Sequence, residues 1–301
     1  MPHRSRLIAV IALLAAMLLW ASSFVALKLA FQSYAPLFVI FGRMVVGSLC
    51  FVFLLKSFKG NQYQRGDLKY LLFLVICEPC LYFLFEAKAL VLTTASQAGM
   101  VTAVLPLMVG IAAHFLLKER VTMKTYAGFV LAILGVFLLS AGAKSSSMAP
   151  NPALGNFLEF LAMVCATGYT ISLKHLSARY TPLSLTALQA FVGSLFFLPF
   201  VLLHPGSIPS TFEPVAGMSI IYLGIFVTLG AYGLYNFGVS RIPASQASAF
   251  VNLIPVLTVI LGWIILGDRF TFMQYAAGIL VFAGVFLSQD LKVGGVPPAV
   301  Q

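Results

Sequence analysis

Residues 96–138 read SQAGMVTAVLPLMVGIAAHFLLKERVTMKTYAGFVLAILGVFL, and residues 245–287 read SQASAFVNLIPVLTVILGWIILGDRFTFMQYAAGILVFAGVFL. Roughly a third of the aligned positions are identical, well above chance for text this apolar. Pro106 falls on Pro255, Arg120 on Arg269, Thr122 on Thr271, and Tyr126-Ala127 on Tyr275-Ala276. Working outward, Leu27-Lys28, Tyr34, Pro36-Leu37, Gly47-Ser48-Leu49 and Phe51 reappear as Leu173-Lys174, Tyr180, Pro182-Leu183, Gly193-Ser194-Leu195 and Phe197. The duplication spans nearly the whole chain. If each copy crosses a membrane an odd number of times, the two copies face opposite ways, as in carriers that open to each side in turn.

The composition requires a membrane. The 301 residues are 61% hydrophobic and 9% charged, with mean hydropathy +1.02. Soluble domains carry about a quarter charged residues. Ten apolar segments, at 7–28, 34–55, 68–88, 94–117, 122–142, 154–174, 183–203, 214–238, 244–266 and 271–289, each approach the span of about 20 residues that a bilayer needs. The expected fold is an all-α polytopic membrane protein with ten transmembrane helices, arranged as two inverted five-helix repeats. The first repeat covers 7–142, a linker rich in Ser and Pro covers 143–153, the second repeat covers 154–289, and a tail covers 290–301. The formal charge of +10 sits singly or in short groups between apolar runs, which suits anchors at a lipid bilayer and not nucleic acid. With the N-terminus inside, basic residues favour the inner loops by about three to one. Lys118-Glu119-Arg120 with Lys124 then lies inside, and its copy, Gly267-Asp268-Arg269 with Met273, has lost basic residues and lies outside. The expectation is a multi-pass protein of the inner or plasma membrane with both termini cytoplasmic.

These residues resemble a known family. Leu18-Leu19-Trp20-Ala21-Ser22-Ser23-Phe24 with Lys28, Phe41-Gly42-Arg43, Ala89-Leu90 before Thr93-Thr94-Ala95-Ser96-Gln97-Ala98, and Leu105-Pro106 are similar to the EamA-type members of the drug/metabolite transporter superfamily. So are the Lys118-Glu119-Arg120-Val121-Thr122 turn, Gly135-Val136, and in the second half Ala244-Ser245-Gln246-Ala247, Ile254-Pro255, Leu266-Gly267-Asp268-Arg269-Phe270-Thr271 and Gly284-Val285. The resemblance implies ten helices, a central cavity between the halves, and export or exchange of small metabolites. Two positions depart from the pattern: Ala166, where many members carry Trp, and Asp268, where Glu is usual.

Ionisable side chains at membrane depth cost energy and need a reason. Arg43, in the second segment, and Glu78 and Glu86, in the third, are the candidates. Folding the hairpin near Asn61 sets Arg43 at about the depth of Leu81, within roughly two turns of both acids. In the repeat Arg43 maps to Gln189, Glu78 to Thr228, Tyr82 to Tyr232 and Glu86 to Asn236. Charges in one copy are neutral hydrogen-bonding groups in the other, as expected if Arg43 contacts Glu78 or Glu86. The pair either couples transport to protons or braces the bundle, and an acid there could instead bind a substrate amine. Substrate contacts are expected from Trp20, Tyr82, Phe85, Glu86, Gln97, Tyr169, Tyr232, Tyr235, Asn236, Gln246 and Asn252. Pro106 and Pro255 break matched helices near their middles and read as hinges. Glu119 and Asp268 read as turn carboxylates stabilised by the dipole of the next helix. Gly135 and Gly284 suit close helix packing, within the chain or as the face of a homodimer.

Other classes fit less well. Cys50, Cys77, Cys80 and Cys165 lie in apolar stretches and read as structural, and His3, His114, His175 and His204 are scattered, so neither a metal site nor a cofactor is expected. No GxxxxGK[ST], HExxH or GxSxG occurs. An intramembrane enzyme or a sensor without transport activity is the alternative, but no catalytic residues can be assigned and the connectors are short. The leading expectation is a secondary carrier of small organic solutes. The aromatic and amide groups favour neutral, zwitterionic or amphiphilic substrates, amino acids among them.

Overall fold

The computed structural model describes residues 3–54, 61–119 and 123–288. The tail at 290–301, the basic residues Lys56, Lys59 and Lys292, and Arg120 and Thr122 of the matched turn lie outside the described residues. Among the described residues ten long helices run in order: α1 (His3–Phe31), α2 (Pro36–Phe53), α3 (Asp67–Leu92), α4 (Ala95–Leu117), α5 (Met123–Ala141), α6 (Pro152–Leu176), α7 (Pro182–Leu203), α8 (Pro214–Arg241), α9 (Ala244–Leu266) and α10 (Phe272–Ser288). Eight are long and apolar enough to cross a membrane, and α5 and α10 are shorter apolar helices. Among the described residues there is no strand, only one isolated bridge between Ser146 and Ala149.

Local signals explain the starts. Proline opens α2, α6, α7 and α8, where its missing N–H costs nothing. The side chains of Thr94, Asn151 and Thr181 each accept a bond from a free N–H in the following turn of α4, α6 and α7. The α4 and α9 helices end alike, with Lys118 (φ 56°) and Gly267 (φ 72°) in the left-handed region at matched positions. Gly takes that geometry without the Cβ clash that Lys accepts.

The two halves pack as inverted equivalents. Helix α1 packs on α8 and α9, while its counterpart α6 packs on α3 and α4. Three matched pairs pack together, α2 on α7, α4 on α9 and α5 on α10. In α5 and α10, Gly135 meets Val281 and Gly142 meets Met273. In α2 and α7, the matched residues Ser48 and Ser194 share a hydrogen bond of 2.9 Å across the pseudo-twofold axis. The glycines expected to suit close packing are used here, inside the chain. A Cβ on Gly284 would lie 2.5 Å from Gly128 O and 2.8 Å from Ala132 N. Gly284→Ala is therefore expected to lower stability by about 1–3 kcal/mol, read as a lower Tm in detergent. Gly233→Ala, where a Cβ meets nothing within 4 Å, is the neutral control.

Candidate functional site

Matched breaks in the helices shape the centre of the molecule. Proline restricts the residue before it away from helical geometry, and Glu78, before Pro79, is extended (φ −149°, ψ 116°) within α3. The matched part of α8, Leu223–Ala231, is wound wider than an α-helix. Pro106 and Pro255 follow short tight turns at Thr102–Val104 and Phe250–Asn252, so α4 and α9 are interrupted at the same level.

A cavity of about 40 Å³ lies between these breaks. That is room for roughly two or three waters. Trp20, Arg43, Glu78, Tyr82, Glu86, Tyr169, Tyr232 and Tyr235 line it, joined by Ser23, Phe24, Phe83, Thr102, Met163, Ala166 and Thr170. Trp20 stands edge-on to Tyr232, with centroids 5.1 Å apart, and lies 4.7 Å from Tyr235. Its indole N–H has no partner among the described residues.

The other sequence candidates lie elsewhere. Asn236 is fully buried behind the wall, where it accepts from the Tyr169 hydroxyl and donates to Thr186 at 2.8 Å. Gln97 accepts from Asn156 at 3.1 Å, in a cluster with Thr93 and Ser140. Phe85 and Asn252 are half-buried off the lining, and Gln246 is exposed. Side-chain identity marked these residues as cavity groups, but the helix faces turn them away.

The expected contact between Arg43 and an acid is replaced by a symmetric exchange between the halves. Arg43 Nε donates to Thr228 Oγ1 at 3.3 Å, and its guanidinium sits 4.5 Å from the Phe83 ring centre. Thr228 is the counterpart of Glu78, and the counterpart of Arg43, Gln189, donates to the backbone oxygen of Glu78 at 3.2 Å. Each residue thus meets its partner's equivalent in the other half. The Glu78 carboxylate takes the Tyr232 hydroxyl, and Glu86 takes that of Tyr82 at 2.9 Å. Glu86 is buried although it lies toward the end of α3.

Glu119 and Asp268 also act across the halves. Glu119 accepts from the N–H groups of Ala244 (3.0 Å) and Ser245 (3.2 Å) and from the Ser245 hydroxyl, at the start of α9. Asp268 accepts from Ser96 N–H (3.0 Å), at the start of α4. Each carboxylate closes one end of the α4–α9 pair by capping the partner's free N–H groups. The shorter Asp side chain reaches one donor where Glu reaches three. His114 Nδ1 lies 2.9 Å from Glu119 O, at the end of α4.

A further pair of ties joins the loops. On the Glu119 side, Arg179 reaches Asp67 at 2.5 and 3.1 Å and the Tyr180 hydroxyl joins it at 3.2 Å. On the Asp268 side, the matched Tyr34 accepts from Glu213 N–H at 2.8 Å. The matched lysines brace the same ends. Lys174 donates to the last carbonyls of α8, Val239 and Ile242, and Lys28 donates to Met148 O.

Two inverted five-helix halves around a central aromatic cavity that also holds Arg43, Glu78 and Glu86 define a multi-pass membrane carrier. The chain belongs to the EamA-like transporter family, whose model matches residues 7–141 and 153–289. It is 31% identical over 287 residues to the uncharacterized transporter YetK of Bacillus subtilis (strain 168), covering 93% of this chain and 86% of that one. It is 27% identical over 289 residues to YcxC of the same organism, with 91% and 92% covered. A protein described as a probable terminal-alkyne amino-acid exporter, from Streptantibioticus cattleyicolor, is 23% identical over 288 residues, with 95% of both chains covered. A solved crystal structure of 19% identity matches with a TM-score of 0.65 over 93% of this chain and 95% of that one, a likeness of fold.

Two features escaped the sequence reading. Glu159, on α6, is fully buried. Its counterpart at the α1 offset is Leu13, and that exchange of acid for leucine was the signal available. Phe83, which carries the Arg43 guanidinium, lacked a signal, because nothing separates it from the other phenylalanines of an apolar helix.

Proposed function

We propose that this chain exports or exchanges small zwitterionic metabolites, amino acids among them, by alternating access around the central cavity. The observation that carries the reading is a central cavity holding an arginine and two carboxyls in an aromatic wall. Arg43 uses only Nε in its described hydrogen bond, which leaves guanidinium donors for a substrate carboxylate. Glu86 Oε2 has no partner among the described residues and can take a substrate ammonium. Tyr232, Tyr235 and Trp20 would hold the apolar part of the molecule. The described amino-acid exporter among the relatives favours the same class.

At about 40 Å³ the cavity is smaller than such a solute, so loading requires one end to part. In this reading Glu119 and Asp268 are the two gates and the breaks at Pro106 and Pro255 are the hinges. The Glu119 end faces the cytoplasm with both termini, in the cell's inner or plasma membrane, as the basic residues of the inner loops favour. The test is counterflow into liposomes loaded with purified protein. A radiolabelled mixture of the twenty amino acids is expected to exchange, and a radiolabelled sugar phosphate is not. Exchange of the sugar phosphate with no amino-acid exchange would overturn the assignment.

A further inference from the structure

We propose that Glu159 and Glu86 form a proton-binding site beside the cavity, holding one proton between them in the closed state. Its role as a coupling site rests on the carrier reading above; its existence does not. Glu159 is 0% exposed, and both of its carboxyl oxygens lack a hydrogen-bond partner among the described residues. Glu86 is 3% exposed and has Oε2 free. Glu86 lies on the Tyr82–Leu92 part of α3, which packs along α6, the helix that carries Glu159. Glu86 lines the cavity, and so does Met163, one turn beyond Glu159, so Glu159 sits one helical turn from the substrate space.

The surroundings offer little compensation. From α3 come Tyr82, bonded to Glu86, and the second cavity acid Glu78, bonded to Tyr232 of α8. From α4 and α5 come neutral Gln97 and Ser140, both bound to Asn156 a turn away. From α8, Tyr235 is paired with Thr170. Arg43, from α2, lines the same cavity as Glu86 and forms no ion pair among the described residues. The ion pair found among the described residues, Arg179 with Asp67, is far off at the cytoplasmic end. Two ionised carboxyls with no ion-pair partner at membrane depth cost several kcal/mol each. One retained proton removes one of those charges and supplies an O–H donor.

The repeat provides an internal control. The places of Glu86 and Glu159 are taken in the other half by Asn236 and Leu13, both fully buried. Leucine fills the same position in the same fold, so packing does not call for an acid at 159. A substrate ammonium arriving at Glu86 Oε2 brings the missing positive charge. The shared carboxyl O–H then breaks, its electron pair stays on the carboxylate, and the proton leaves to water. Departure of the substrate returns the proton.

Infrared spectra of the purified full chain in nanodiscs, titrated from mildly acidic to alkaline buffer, test the site without any substrate. The expected result is a protonated-carboxyl C=O band at neutral pH that is lost in Glu159→Gln and whose titration midpoint moves in Glu86→Gln. A band unchanged in both variants, or no such band in the wild type, would overturn the proposal. If Glu159→Gln does not fold, the Glu86→Gln spectrum alone decides. In liposomes, a pH gradient should raise accumulation of the radiolabelled amino-acid mixture by the wild type but not by Glu159→Gln. Equal accumulation by both refutes coupling. If the wild type exchanges no amino acid, the substrate assignment fails while the infrared result still judges the site.

Discussion

Glu119→Ala is expected to open the cavity at the Ser245 end, and Asp268→Ala to open it at the Ser96 end. The reporter is Ser23→Cys, on the cavity wall, in a background with the four native cysteines replaced. Removing Glu119 strips the acceptor from two backbone N–H groups and one hydroxyl. Bonds to charged groups are worth about 1.5–3 kcal/mol each, so the closed state should lose about 3 kcal/mol or more at that end. An impermeant maleimide should then label the reporter about 100-fold faster from that side only, since about 1.4 kcal/mol is tenfold in a population. Asp268 holds one N–H, so Asp268→Ala should give about tenfold, from the opposite side. The ion pair of Arg179 with Asp67 adds to the Glu119 end. The wild type should therefore label faster from the Asp268 side. Acceleration from the same side in both variants would refute paired gates.

The second large effect is at Arg43. Arg43→Ala is expected to lower amino-acid counterflow by about 100-fold, the loss of a charge-assisted substrate contact together with the stacked cation. Arg43→Lys should recover little. An ammonium cannot donate through Nε to Thr228 while lying flat on Phe83, and its charge is compact where the guanidinium is planar. The Tm of both variants separates folding from transport. A Lys variant with wild-type exchange would mean that position 43 supplies charge alone.

The fold was largely legible because membrane depth permits few solutions: apolar runs of bilayer length must be helices, and a duplicated odd set must invert. Trp20 and the matched tyrosines were legible as cavity residues, because aromatic and polar groups stand out against leucine and alanine. The partners of Arg43, Glu119 and Asp268 were not. Each contact crosses from one half to the equivalent place in the other, over separations of 125 to 185 residues. The repeat aligned Arg43 with Gln189 and Glu78 with Thr228 but could not say that the bonds run diagonally between them. Gln246 and Asn252 show the other limit. A polar side chain in an apolar segment names a depth, while helix rotation, set by neighbours, decides whether it meets the cavity. Glu159 was readable in principle, as an acid standing where its copy has Leu13.

The most direct test of the inverted arrangement compares two turns that are copies of one another. In the cysteine-free background, Lys118→Cys and Arg269→Cys are labelled with impermeant maleimide in sealed vesicles of known orientation. The account predicts that the two are labelled from opposite sides, with Lys118→Cys reached from the cytoplasmic face. Labelling of both from one side would contradict it.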